Sequence, residues 1–171
     1  MSVLTETDRL LITEMTTDMA ADVYKNSLDE DIKRFVPDEV FKTPEHAKQT
    51  LEFLISRYGT ADGPLVYALI TKDEHKNIGY VQLVHLENGN WEIGYHIAKA
   101  FTKKGYATEA VTAFLPVITK QVAATEVYGI RLLENTASGR VLEKSGFQTV
   151  FTGKSVYHGG VYEISKSVWK A

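Results

Sequence analysis

The stretch 65–97 constrains the fold more than any other part of this chain. It holds three apolar runs rich in β-branched and aromatic residues, Leu65–Thr71, Ile78–Leu86 and Trp91–Ile97, parted only by Asp73–Asn77 and Glu87–Asn90. Strand-length runs joined by such short polar turns predict an antiparallel meander. A meander has two faces to cover, and the flanking sequence supplies helices for them. Thr43-Pro44-Glu45 opens one helix, with threonine as cap and proline in the first turn. Leu51, Leu54, Ile55 and Tyr58 continue it at helical spacing, and Gly59 and Gly63-Pro64 end it.

The remaining elements follow from the same signals. Arg9-Leu10-Leu11-Ile12-Thr13, within residues 3–15, reads as the first strand, and Thr17-Asp18 can cap a helix running to about Asn26. Residues 27–42 read as a short helix with loops, interrupted at Val36-Pro37. After the meander a helix is predicted from about Ala107 to Val122, with Pro116 expected to kink or shorten it. Glu126–Leu133 is a predicted strand and Ala137–Lys144 a short helix. Phe147–Lys154 and Val161–Trp169 form a closing hairpin around the turn Tyr157-His158-Gly159-Gly160. The order predicts one mixed α/β domain over residues 1–171.

Composition removes several classes of function. A net charge of −3 offers no basic field for nucleic acid. No apolar run approaches the ~20 residues that cross a bilayer. Met1–Asp8 lacks the basic-then-apolar order of a signal peptide, so a cytoplasmic protein away from membranes is expected. The absence of cysteine rules out disulfides, zinc thiolates and a cysteine nucleophile. His46, His75, His85, His96 and His158 have no metal-ligand spacing, and no metal is expected.

Two stretches carry chemistry. Thr102-Lys103-Lys104-Gly105-Tyr106-Ala107-Thr108 joins a predicted strand to a predicted helix. Backbone N–H groups of such a loop converge, and the helix adds roughly half a positive charge at its N-terminus. Together they suit a pyrophosphate, with Gly105 allowing close approach and Lys103 and Lys104 adding charge. The nucleoside-triphosphate and dinucleotide glycine patterns are absent. The loop also reads as a plain polar connection with two solvated lysines. The second stretch runs from Asn135 to Phe147. On its own, Asn135 is a helix cap, Val141 and Leu142 face a core, and Gly146 is a helix stop.

In combination, Lys-Gly-Tyr-Ala-Thr-Glu-Ala at 104–110 and Asn-x-x-Ser-x-x-Val-Leu-x-Lys-x-Gly-Phe at 135–147 resemble the GNAT superfamily of N-acetyltransferases. Trp91-Glu92-Ile93-Gly94-Tyr95 is similar to the strand found in the RimJ/RimL branch, the ribosomal-protein N-terminal acetyltransferases. The resemblance covers about residues 7–169. It implies a mixed, mostly antiparallel twisted sheet of about seven strands with helices on both faces, an α/β (α+β) fold. It implies acetyl-CoA as co-substrate, with residues 102–108 as its pyrophosphate loop, although Thr102 stands where the family prefers Gln or Arg. By the same resemblance Asn135 contacts the coenzyme A arm. That arm lies where the strand at 91–97, ending at Ile97, splays from the strand at 126–133, pairing with exposed backbone like an added strand.

The reaction needs a neutral amine and a proton for the leaving thiolate. An α-amine, with a pKa of about 7.7–8.0, asks little of a base, while a lysine amine near about 10.4 asks much more. Glu92, ten positions before Thr102, stands where many superfamily members place a catalytic glutamate. Seven residues after the asparagine, where many members carry a tyrosine, this chain has Leu142. Ser138 is then the expected donor to the thiolate, since the RimJ/RimL branch uses serine there. Each has a plainer alternative: Glu92 as an exposed strand residue or one pairing with a lysine, Ser138 as a polar residue in a first helical turn. His96 shares Glu92's strand face by alternation but reads as a packed or solvated histidine. Glu163 stands after the 157–160 turn where the family more often has aspartate, and no role is assigned to it.

The expected activity is acetyl transfer to an amine, either a protein N-terminus or a small amine. The alternative is a module that holds acyl-CoA without turnover, favoured by Leu142 and Thr102 and opposed by Glu92 and Ser138. A monomer or a homodimer fits equally.

Overall fold

The computed structural model describes residues 1–171. Two strands, β1 (Val3–Glu6) and β2 (Leu10–Glu14), precede the meander. The meander itself is β3 (Leu65–Thr71), β4 (Asn77–His85) and β5 (Trp91–Ile97). Three more strands follow: β6 (Glu126–Leu132), β7 (Gln148–Tyr157) and β8 (Gly160–Lys170). The eight strands form one sheet in the order β1-β2-β3-β4-β5-β6-β8-β7. Every neighbouring pair is antiparallel except β5 and β6. The strand beyond the expected seven is β1. The chain before Arg9 folds back on β2 through a turn in which Thr7 Oγ1 accepts the Leu10 N–H at 2.9 Å.

Five α-helices cover the sheet: α1 (Ala20–Ser27), α2 (Glu30–Phe35), α3 (Pro44–Arg57), α4 (Tyr106–Gln121) and α5 (Thr136–Lys144). Phe114, Leu115 and Ile118 of α4 are fully buried against Leu10, Leu65, Leu69 and Leu83 on one face. Leu51 of α3, with Met15 and Met19, packs on Val66, Ala68 and Ile70 on the other. All seven residues of β3 are therefore buried, which is why that run is apolar without alternation.

Local expectations are met unevenly. Thr43 caps α3, accepting the His46 N–H at 3.1 Å, with Pro44 in the first position. Thr17-Asp18 does not cap α1: these residues form a 3-10 turn, Thr17–Met19, and no side chain caps the helix behind it. Pro116 does not end α4, which runs unbroken from Tyr106 to Gln121. Pro116 lies on the exposed face, where water can satisfy the carbonyl that loses its amide partner. The 157–160 turn is present, with His158 at φ 46° and Gly159 at φ 75°.

The feature that shapes the site is the β5–β6 pair. These parallel strands share a single register position, Glu92 opposite Tyr128. Beyond it they part, and a gap opens between the ends of β5 and β6.

Candidate active site

The gap leads to the loop between β5 and α4. A 3-10 turn, Lys99–Phe101, bends the chain away from Ile97. Thr102 spends its hydroxyl on that turn, donating to the Lys99 carbonyl at 2.9 Å. Lys103 at φ 62° and Gly105 at φ 81° then turn left-handed, and Gly105 is the N-cap of α4. The backbone N–H groups of Lys103, Lys104, Gly105, Tyr106, Ala107 and Thr108 have no acceptor within the chain. Six free amides at a helix N-terminus, with two exposed lysines beside them, make a strong anion site. A Cβ on Gly105 would meet only Arg9 Nη2, at 3.6 Å, so the loop's outer side is open. Ile97 turns its side chain into the core and can offer a ligand only its backbone.

Strand alternation divides the chemistry between the two faces of the gap. Glu92 faces the α1–α3 side. Its carboxyl is half-buried and makes no hydrogen bond, and desolvation, reinforced by the Glu39 carboxylate, pushes its pKa up to about 7 although Lys166 pulls it down. Tyr95 faces the α4–α5 side. Its hydroxyl crosses the gap to Ser138, donating to the backbone carbonyl at 3.0 Å and lying 2.9 Å from Oγ. Burial raises the Tyr95 pKa to about 12, so this phenol keeps its proton. Asn135 Oδ1 caps α5 by accepting the Ser138 N–H at 3.2 Å. That cap fixes Ser138 and leaves the Asn135 side-chain N–H groups free. Leu142 is 3% exposed and packs on Gly129, so the position is a core position here.

Residues 29–42, within the 27–64 segment expected to shape the acceptor pocket, close over the Glu92 side. Asp29 accepts the Lys99 N–H at 2.8 Å and lies 3.2 Å from His96 Nε2, which makes His96 a tether between α2 and β5. Glu39 bonds the Tyr80 hydroxyl and, at 3.3 Å, the Gln82 amide. Burial raises the Glu39 pKa even so. Asp38 lies 3.1 Å from His158 at the β7–β8 turn. On the same face an open groove of about 670 Å³, lined by Tyr128, Ile130, Phe151, Tyr157 and Lys166 among others, runs up to the Glu92–Tyr128 pair. No group of three or more His, Cys, Asp or Glu is placed to hold a metal ion, and no helix is long and apolar enough to cross a membrane.

Sequence reading thus placed Glu92, Ser138, Asn135 and the 102–108 loop around one gap, and missed Glu39, Tyr95 and Arg9. Tyr95 stands inside the quoted strand motif, and its alternation with Glu92 was the available signal. Glu39 lies in an irregular segment and gives none.

Known proteins share this architecture. The chain is 30% identical over 143 residues to the uncharacterized N-acetyltransferase YnaD of Bacillus subtilis (strain 168), covering 83% of this chain and 81% of that one. The ribosomal-protein-S5-alanine acetyltransferase from Vibrio fischeri superposes with a TM-score of 0.83 at 19% identity, over 97% of this chain and 95% of that one. RimL, a ribosomal L7/L12 alpha-N-protein acetyltransferase in complex with coenzyme A, gives a TM-score of 0.81 at 12% identity, over 99% and 98%. These two likenesses are of fold. Residues 9–148 match the acetyltransferase (GNAT) domain family, a span that takes in the loop, the gap and α5 alike. The chain belongs to the GNAT acetyltransferase family.

Proposed function

We propose that this acyltransferase moves an acetyl group from acetyl-CoA to an amine presented along the groove on the Glu92 face. One observation carries the reading. The sheet parts at Glu92, so one opening joins six unpartnered amides, a carboxylate of raised pKa and a pair of hydroxyls. The Lys103–Thr108 amides and the α4 N-terminus would hold the pyrophosphate. The edges of β5 and β6, with Asn135, would hold the arm. Bound there, acetyl-CoA supplies the thioester. RimL, which shares this fold, is in complex with coenzyme A, and that supports coenzyme A as the ligand.

The protein's part is proton management. The amine nitrogen bonds the acetyl carbon as the carbon–sulfur bond breaks. Glu92 takes the proton that the nitrogen sheds, directly or through a water. A carboxylate with a pKa of about 7 is ionised in half or more of the molecules at neutral pH and is a far better base than an ordinary glutamate. The thiolate on the opposite face accepts a hydrogen bond from Ser138 Oγ as it leaves and takes its proton from solvent, while Glu92 returns its own to water. Tyr95 holds Ser138 in place by donating to its carbonyl, and keeps its own proton throughout. A base of this strength matches an α-amine better than a lysine amine. The open groove favours an acceptor with chain behind its amine, so a protein N-terminus is the preferred class and a small amine the second.

Two measurements test this. Thermal shift with acetyl-CoA at a hundredfold excess over Kd should add about 2.7 kcal/mol, or roughly 5–10 °C. NAD and ATP should not reproduce it. Stabilisation without thiol release across peptides, polyamines and amino acid derivatives would mean a module that holds acyl-CoA without turnover, and would overturn the transfer step. Ser138→Ala and Tyr95→Phe should each lower kcat, Ser138→Ala by roughly tenfold to a hundredfold. If Ser138→Ala leaves kcat at the wild-type value, the serine is only a helix residue.

A further inference from the structure

The β1–β2 turn reaches across to the phosphate-binding loop through one side chain. Arg9 Nε donates to Glu109 Oε2 at 2.7 Å, and Arg9 Nη2 pairs with the same oxygen. Arg9 Nη1 donates to the Lys104 carbonyl at 3.0 Å. The guanidinium lies 4.2 Å over the Tyr106 ring. Glu109 also accepts the Arg9 N–H at 3.2 Å and the Thr7 hydroxyl at 2.5 Å, both on Oε1. Burial alone would raise the Glu109 pKa, but these donors together lower it, so the carboxylate is held ionised.

An exposed ion pair adds little to stability, and Arg9 is 44% exposed. Its geometry points to another task. Three of its donors and its flat face are committed to residues 104, 106 and 109, which flank the free amides. The contacts fix the Lys104 carbonyl outward and thereby the left-handed turn at Gly105. Charge gives a second reason. Glu109 lies one turn into α4, where an ionised carboxylate favours the helix but repels an anion arriving at its N-terminus. Arg9 cancels that charge at contact distance and brings its own Nη2 to the open side of Gly105.

We propose that Arg9 is a positioning residue for the coenzyme A pyrophosphate loop, shaping residues 104–106 and neutralising Glu109 beside the anion. The inference rests on the reading of that loop as the coenzyme A site. Calorimetric titration of the full chain with coenzyme A separates the two. Wild type that fails to bind coenzyme A overturns the loop reading itself. Given wild-type binding, Arg9→Met should weaken Kd by about tenfold to a hundredfold, and the kinetic loss should fall on KM for acetyl-CoA rather than on kcat. The loss should be at least about tenfold larger for acetyl-CoA than for S-acetylpantetheine, which lacks the phosphates, a contrast that general destabilisation would not produce. Arg9→Lys keeps the charge without the fork and should fall between. Adding Glu109→Gln to Arg9→Met should recover part of the affinity by removing the bare carboxylate. Should Arg9→Met fail to fold, Arg9→Lys carries the same comparison between the two thioesters. Equal losses for both, or a Kd within twofold of wild type, would overturn the proposal.

Discussion

Glu92→Gln should yield an enzyme that is slower and, above neutral pH, more stable. In its proposed role as base, Glu92 is expected to contribute roughly a hundredfold or more to turnover. Its cost to the fold follows from the same desolvation. In the unfolded chain the carboxyl titrates near its ordinary value of 4.5, and in the folded protein near about 7. Below the lower value both states are protonated and Glu92 costs nothing. As pH rises to 7 the folded state resists losing the proton, and above 7 the full penalty of a desolvated carboxylate applies, about 3 kcal/mol. Glutamine carries no such charge. The variant should therefore melt roughly 6–12 °C above wild type at pH 8.5, with the difference vanishing near pH 4.5. The wild-type pH–rate profile should also rise through about pH 7, and this limb should be missing in the variant. Equal melting temperatures at pH 8.5 would mean that the carboxylate is solvated in the folded protein.

The second large effect concerns Leu142. Leu142→Tyr would install, seven residues after Asn135, the tyrosine that the family resemblance implies as a proton donor. It should instead destabilise the protein by about 2–5 kcal/mol and leave kcat no higher. Leu142 Cδ2 lies 2.5 Å from where a Cβ on Gly129 would stand, so that space is already full. Tyrosine overfills it and buries a hydroxyl with no acceptor. A melting curve and a kcat measurement decide the matter, and a stable, faster variant would show that the α5–β6 contact is looser than its geometry.

What the sequence disclosed was local. The 102–108 loop and the Asn135–Phe147 stretch are short runs whose residues act on their own backbone, through a left-handed glycine, a cap and a helix stop. Those signals survive in one dimension. Tyr95–Ser138, Arg9–Glu109 and Glu39–Gln82 join residues 43, 100 and 43 positions apart, and nothing in either partner's neighbourhood names the other. Strand β1 escaped notice for a related reason. Val3–Glu6 is four residues long, only half-buried, and is held by pairing with β2 rather than by its own pattern. Pro116 misled in the opposite direction, since proline on the exposed face of α4 forfeits one bond that water can replace.

The single rung between β5 and β6 has a mechanical meaning. The sheet is two plates, five strands and three, riveted at Glu92–Tyr128 and otherwise bridged by helices and side chains. Such a seam is the compliant direction of the molecule. Amides on the facing edges of β5 and β6 beyond the rivet should exchange with deuterium far sooner than those of β3, which are clamped on both sides. Anything that bonds both edges would stiffen the whole molecule along that one line.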